Sequence, residues 1–328
     1  MNASPHHSKV KITLFQADPI FVAGTFITGK MEMECRADHG LGIGVMMVEL
    51  FATQQLTSRD HSATSTFLHS RRLFQGPGLP PSNAVQPHPL PGDPPLPAHH
   101  HQARRGISTF LFRIPLPASS PPSITFGADL ATIKYELRAS VSVFWKGENK
   151  LVTCKKDVQV VGSCEGPGTE EPEGVVVGEY GKIWAQGKVV GGMAVAGESA
   201  CVELQVKNHS GKKNTGLTVT LTRTLVLPTS HVKSSDKHTP TLEVSDTLTT
   251  VSFKGAEYII TPGTEGVASL VFDVPKDARG VRGGPLEGDE GDEGAGRRER
   301  MRITESLFEI RCAVFVKIGM GFGRLVFL

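Results

Sequence analysis

Residues 135–143 read YELRASVSV and residues 308–316 read FEIRCAVFV, and a chain that writes one strand twice has little freedom in how it folds. Tyr135, Leu137, Ala139, Val141 and Val143 alternate onto one side in the first copy, as do Phe308, Ile310, Cys312, Val314 and Val316 in the second. Glu136/Glu309 and Arg138/Arg311 take the other side. Alternation at period two marks a half-buried strand. The copies lie 173 residues apart (308 − 135). The same spacing relates Val-Ala-Gly at 22–24 to Val-Ala-Gly at 195–197. The first leads into Ile27, Met31, Met33 and Cys35, the second into Ala200, Leu204, Val206 and Asn208. A third pair, Phe112-Arg113-Ile114-Pro115 and Phe272-Asp273-Val274-Pro275, is a strand stopped by a proline that has no N–H to donate. Three pairs in one order argue for a duplicated domain rather than a short solenoid repeat.

At 328 residues the chain has length for two such domains. The first is expected over 1–164 and the second over 175–328, with the acidic stretch 165–174 between them as a linker. Other alternating runs, among them 9–15, 108–114, 200–207, 217–227 and 242–253, complete an all-β expectation. No 12-residue segment carries a helical stripe. A formal charge of +2, with basic residues scattered, argues against nucleic acid as a partner. Cys35, Cys154, Cys164, Cys201 and Cys312 form no CxxC pair, and the reading puts Cys35, Cys201 and Cys312 on inward positions of a reduced chain. The N-terminus reads as lacking a signal peptide, and no apolar run has the length of a membrane helix.

Two stretches break the pattern. Nine of the 22 prolines fall between Pro77 and Pro97, followed by His99, His100 and His101, so 76–105 is expected to be a disordered insertion. Pro77/Pro80 and Pro94/Pro97 have the PxxP spacing of an SH3-type ligand, although a solvated loop is the plainer reading. Residues 280–302, Gly-rich with an acidic run beside a basic one, are expected to be a flexible charged insertion. The return strand 151–161 has only 324–328 as its counterpart, so the second half reads as a strand short or cut, and less stable for its unpaired edge.

Positive signs of catalysis are absent. Cys164 sits in a GxCxG that would be a nucleophile elbow only if a helix followed, and Pro167-Gly168 follows instead. A thiol hydrolase using Cys164 is kept as a remote alternative. The histidine triplet lacks further ligands in fixed geometry, so no metal is expected, and no cofactor motif is present. The opening strand offers a binding surface: Val10, Ile12 and Leu14 face inward while Lys9 and Lys11 face solvent. Such lysines either meet acidic side chains of an added strand or merely block aggregation.

Across nearly its whole length the chain resembles the arrestin family. The residues that carry the likeness are PIFVAGTFITGKMEME, FLFRIPLPASSPPS and IKYELRA in the first half. In the second half they are VAGESACVELQVKNHSGKKNTGLTVTL, with Gly197, Glu198, Val206, Asn208 and Ser210, and the strand 272–275. The resemblance implies two tandem immunoglobulin-like antiparallel β-sandwiches. Within the family it looks like the α-arrestin or fungal arrestin-like branch, and the polar-core arginine position of visual and β-arrestins reads Lys156, a departure from the residue their phosphate-triggered switch uses. It implies a cytoplasmic adaptor, recruited to the plasma membrane or endosomes, that binds cytoplasmic tails of transporters or receptors and promotes their ubiquitin-linked endocytosis or sorting. A HECT-type ubiquitin ligase is the implied partner, yet Tyr135, Tyr180 and Tyr258 all lack a preceding Pro-Pro, so the chain has no PPxY motif. The alternative within the same fold is a retromer-like coat subunit of endosomal trafficking.

Overall fold

The computed structural model describes residues 3–4, 7–37, 39–87, 95–163, 173–227, 244–283, 285–286, 304–320 and 324–325. Among them are strands and three single 3₁₀ turns but no α-helix. The chain divides into two compact units, Met1–Ser163 with Gly284–Leu307, and Cys164–Gly283 with Phe308–Leu328.

The first unit contains β1 (Ala3–Ser4), β2 (Val10–Gln16), β3 (Ile20–Val22), β4 (Phe26–Cys35), β5 (Leu41–Thr57) and β6 (Ser62–Gln75). They are followed by β7 (His101–Gln102), β8 (Gly106–Pro115), β9 (Ile124–Phe126), β10 (Ala131–Trp145) and β11 (Glu148–Val161). One sheet runs β1-β11-β10-β5-β6, and a smaller one runs β2-β4-β8. The second unit contains β12 (Glu173–Gly178), β13 (Ile183–Val189), β14 (Ser199–Asn208), β15 (Leu217–Val226), β16 (Val244–Phe253) and β17 (Thr264–Asp273). Of the remaining strands, β18 (Pro285–Leu286) and β19 (Thr304–Glu305) belong to the first unit, and β20 (Glu309–Gly319) and β21 (Arg324–Leu325) to the second. The second unit's sheets run β12-β13-β14-β17 and β16-β15-β20-β21.

The duplication is visible in this topology. β10 lies between β5 and β11 as β20 lies between β15 and β21, and β4 lies between β2 and β8 as β14 lies between β13 and β17. The alternation explains the packing. Tyr135, Leu137, Ala139, Val141 and Val143 are all buried, and the Tyr135 hydroxyl donates to the Pro121 carbonyl at 2.6 Å. A buried side chain such as Leu137 contributes about 1.5–3 kcal/mol. In the second unit Ile183, Val202, Leu204, Leu270 and Phe272 from one sheet pack with Leu217, Val219, Leu221, Val316 and Ile318 from the other. Both units are thus all-β, with sheets that are antiparallel apart from the short parallel pairings of β1 and β3 with β11, and with cores set by period-two alternation.

The motif residues Asn208 and Ser210 receive a structural role. Buried Asn208 donates to the Lys212 and Ile260 carbonyls at 2.8 and 3.1 Å and accepts the Ser210 N–H and hydroxyl at 3.0 and 2.7 Å. Buried Asn214 donates to the Tyr258 carbonyl and accepts the Ile260 N–H at 2.6 Å. Two amides therefore satisfy the backbone of the turns at this end of the unit.

Two expectations are corrected. The insertion 76–105 is not disordered where it is described. Val85 bridges Ala103, β7 pairs with β5, and Ala84, Val85, Gln102 and Ala103 are buried. Buried Gln75 holds it there, donating to the Ile43 and Gly44 carbonyls and accepting from the Ser82 N–H and hydroxyl. The Gly-rich stretch at 40–44 lies partly inside β5. A Cβ on Gly44 would sit 2.7 Å from His100 Nε2, so glycine allows the imidazole to lie across the strand. The second correction concerns thiols: Cys35 is buried, but Cys201 is only partly covered and Cys312 is exposed. Cys201 shares its parity with the outward residues of β14, whose buried set is Ala200, Val202, Leu204 and Val206. Cys312 stands opposite Arg223, whose buried guanidinium bonds Asp246 Oδ2 and the Asp277 carbonyl, which makes this row of the sheet polar.

Of the second insertion, Val281 bridges Ile310 and β18 pairs with β19, while 287–303 lie outside the described residues. Within the first unit, fully buried Gln54 donates to the Glu305 carbonyl at 3.2 Å. Its Oε1 accepts the Ser306 hydroxyl and the Leu307 N–H.

Candidate peptide-docking edge

β2 pairs with β4 alone among the described strands, although the Gln16 side chain at its end donates to the Asp157 carbonyl of β11 at 2.8 Å, and its phase fixes what its other side presents. The Arg36 N–H donates to the Lys9 carbonyl and the Ala17 N–H to the Thr28 carbonyl, so odd-numbered residues turn their polar groups toward β4. In an antiparallel pair residues alternate in this respect. Val10, Ile12 and Leu14 therefore aim their N–H and C=O groups at the open side while their side chains are buried.

The duplicate unit shows what such an edge takes up. β13 holds in its sheet the place that β2 holds in its own, and the corresponding side of β13 is filled by β12, paired antiparallel from Glu173↔Lys188 to Gly178↔Ile183. Among the described residues, the edge that is occupied in one unit carries no paired strand in the other.

The outward face beside the open edge is basic. Lys11 is exposed and Lys9 partly so. Register places Lys11 against Glu34 and Phe15 against Lys30 on β4, and Lys30 and Thr28 against Leu111 and Arg113 on β8. Lys9, Lys11, Lys30, Arg36 and Arg113 thus share the face with two carboxylates, Glu32 and Glu34. Both carboxylates are engaged: Glu32 meets Lys30 at 2.7 Å and Glu34 meets Arg36 at 2.8 Å. The hydrogen bond from Arg36, aided by the charges of Arg36 and Lys11, holds the Glu34 carboxyl below its ordinary range. Lys30 also lies over the Phe15 ring at 4.7 Å and Arg113 over the Phe26 ring at 3.5 Å. The sequence points to Lys9 and Lys11 by alternation along one strand. Lys30, Arg36 and Arg113 join them only through register between strands.

The remaining predicted sites fare differently. Pro77 and Pro80 are exposed, but Gly78 has φ 81° and the Leu79 N–H bonds the Gly76 carbonyl, so this spacing is a turn and not the polyproline helix an SH3 groove needs. Pro97 is partly buried, and Pro94 and Cys164 lie outside the described residues. His100 Nε2 lies 3.3 Å from the Ser142 hydroxyl and its ring meets Phe144 edge-on. Among the described residues no group of three or more His, Cys, Asp or Glu could hold a metal, and no helix is long and apolar enough to cross a membrane. Lys156 is exposed on β11. No family model matches the chain, and no curated protein matches it.

Proposed function

We propose that the chain is an arrestin-like adaptor whose open β2 edge takes up an extended, acidic segment of a partner protein by strand addition. The observation that carries this reading is the contrast between the two units: β12 fills the edge of β13, whereas Val10, Ile12 and Leu14 offer theirs. Main-chain bonds to an added strand supply affinity without regard to sequence, and side chains flanking the edge supply selectivity. With five cations beside two engaged carboxylates, that selectivity favours Asp, Glu or phosphorylated residues. The cytoplasmic tails of transporters or receptors are segments of this chemistry, and coupling them to a ubiquitin ligase for endocytosis or sorting is the role that the sequence resemblance supports. The coat-subunit alternative predicts a fixed stoichiometric complex on affinity purification, where the adaptor predicts varied membrane cargo and a ligase.

Charge reversal tests the edge. Lys9→Glu with Lys11→Glu leaves circular dichroism and Tm unchanged, because both side chains reach solvent. It weakens binding of an acidic peptide about tenfold or more at low salt, and the loss shrinks as salt screens the charges. Wild-type affinity of the double variant at low salt would make the lysines mere guards of an edge.

A further inference from the structure

A second pair of edges lies on the far side of the same small sheets. β8 closes the β2-β4-β8 sheet and β17 closes the β12-β13-β14-β17 sheet. Each has ten residues, pairs without a bulge with one neighbour, and is free of lysine, with proline only at the last position of β8. Long regular edges of this kind are the ones that proteins ordinarily protect. Both also stand large apolar side chains into solvent: Ile107 and Leu111 are 70% and 76% exposed, and Val267 and Val271 are 64% and 55% exposed. Each pair is 160 residues from the other, the same offset that relates Phe112-Arg113-Ile114-Pro115 to Phe272-Asp273-Val274-Pro275. The duplicated units thus keep one feature at one place.

The polar groups of both edges are in phase. The Leu116 N–H donates to Thr25 across β4, and the Val274 N–H donates to Glu198 across β14, so in each strand the odd residues turn N–H and C=O outward from the sheet. Among the described residues no backbone bond reaches that side of either strand. An antiparallel pairing of β8 with β17 that sets Ile107 against Val271 also sets Thr109 against Ser269, Leu111 against Val267 and Arg113 against Glu265. One step beyond, Arg105 meets Asp273. All these residues share the outward parity, so each opposed pair within the strands exchanges two hydrogen bonds. Like-with-like pairing fails at its ends. β8 on β8, centred on Thr109, sets Arg105 against Arg113, and β17 on β17, centred on Ser269, sets Glu265 against Asp273. Apolar residues match in all three arrangements, and charge chooses the mixed one.

We infer that this chain self-associates head to tail, β8 of one copy pairing antiparallel with β17 of a second copy. The occupant of each edge is therefore another molecule of the same protein, and the contact is heterologous, so it propagates into a ring or an open filament rather than stopping at a symmetric dimer. Arg113 rests on Phe26 and Glu265 lies 3.4 Å from Lys207, but both contacts are at the surface, where reorientation costs little. This association uses the edge opposite β2 and leaves the β2 edge open, drawing only Arg113 from the cations of the shared outward face.

Sedimentation of the full chain over a wide concentration range tests it. Wild type is expected to show a weight-average mass that rises with concentration. Arg113→Glu alone and Glu265→Arg alone each lower the association constant about tenfold, from one attractive pair becoming repulsive, and the two together restore it. Leu111→Lys, at a position 76% exposed, abolishes association while circular dichroism stays unchanged. A mass that stays monomeric throughout, association insensitive to all four variants, or a double variant no better than the singles would each overturn the inference.

Discussion

His7 lies just before β2 and is tied by one hydrogen bond to the backbone of Lys9, the residue that precedes the strand. Its Nδ1 accepts the Lys9 N–H at 3.2 Å, and burial, with the nearby Lys150 ammonium second, holds its pKa below the ordinary histidine value. The sign follows from linkage: the folded chain keeps His7 neutral, so below an ordinary value of about 6.5 the unfolded chain takes up the proton first. The stabilisation is complete above that pH and declines as pH falls toward the folded value. In an NMR titration the His7 midpoint should lie below that of a histidine in a short peptide, and Lys150→Gln should raise it part of the way. A midpoint that ignores Lys150→Gln would remove the charge contribution. The outward lysines and the inward Val10, Ile12 and Leu14 were legible from alternation alone, since a strand offers only two sides. Cys312 was not, since it stands opposite the buried Arg223 of a neighbouring strand, and pairing partners are not written in a single run of residues.

Elements reveal where composition misleads. A stretch with nine prolines has too few apolar residues to order itself by burial, yet 76–87 and 95–105 are seated on β5 through Gln75 and the close approach of His100 at Gly44. One buried amide bonding several backbone groups leaves no periodic signal. The turns held by Asn208 follow the same logic. Asn208→Leu keeps the branched shape and removes four hydrogen bonds, leaving buried groups of Ser210, Lys212 and Ile260 to lose partners. At about 1–3 kcal/mol for each buried group left without a partner, partly recovered by water, the second unit should lose roughly 2–4 kcal/mol. Chemical denaturation followed at Trp184, which lies in that unit, measures it. A midpoint unchanged by Asn208→Leu would mean that these bonds are as well made to solvent.

At the scale of the whole molecule, duplication is the organising fact, and comparison of the two units points to both proposed surfaces. What the units share, the β8 and β17 edges with their exposed apolar pairs, underlies the proposed self-association. Where they differ, β12 covering β13 while β2 lies open, is the proposed docking edge. The repeated strand made the duplication legible in the sequence, but the filled and open edges became visible only once strand order was known. The most direct test is amide exchange of the full chain with and without an acidic, extended peptide. Strand addition predicts that the amides of Val10, Ile12 and Leu14, exchanging in the free protein, become protected together when peptide binds, while the amides facing β4 hardly change. Peptide bound at saturation with those three amides exchanging as before would contradict the account.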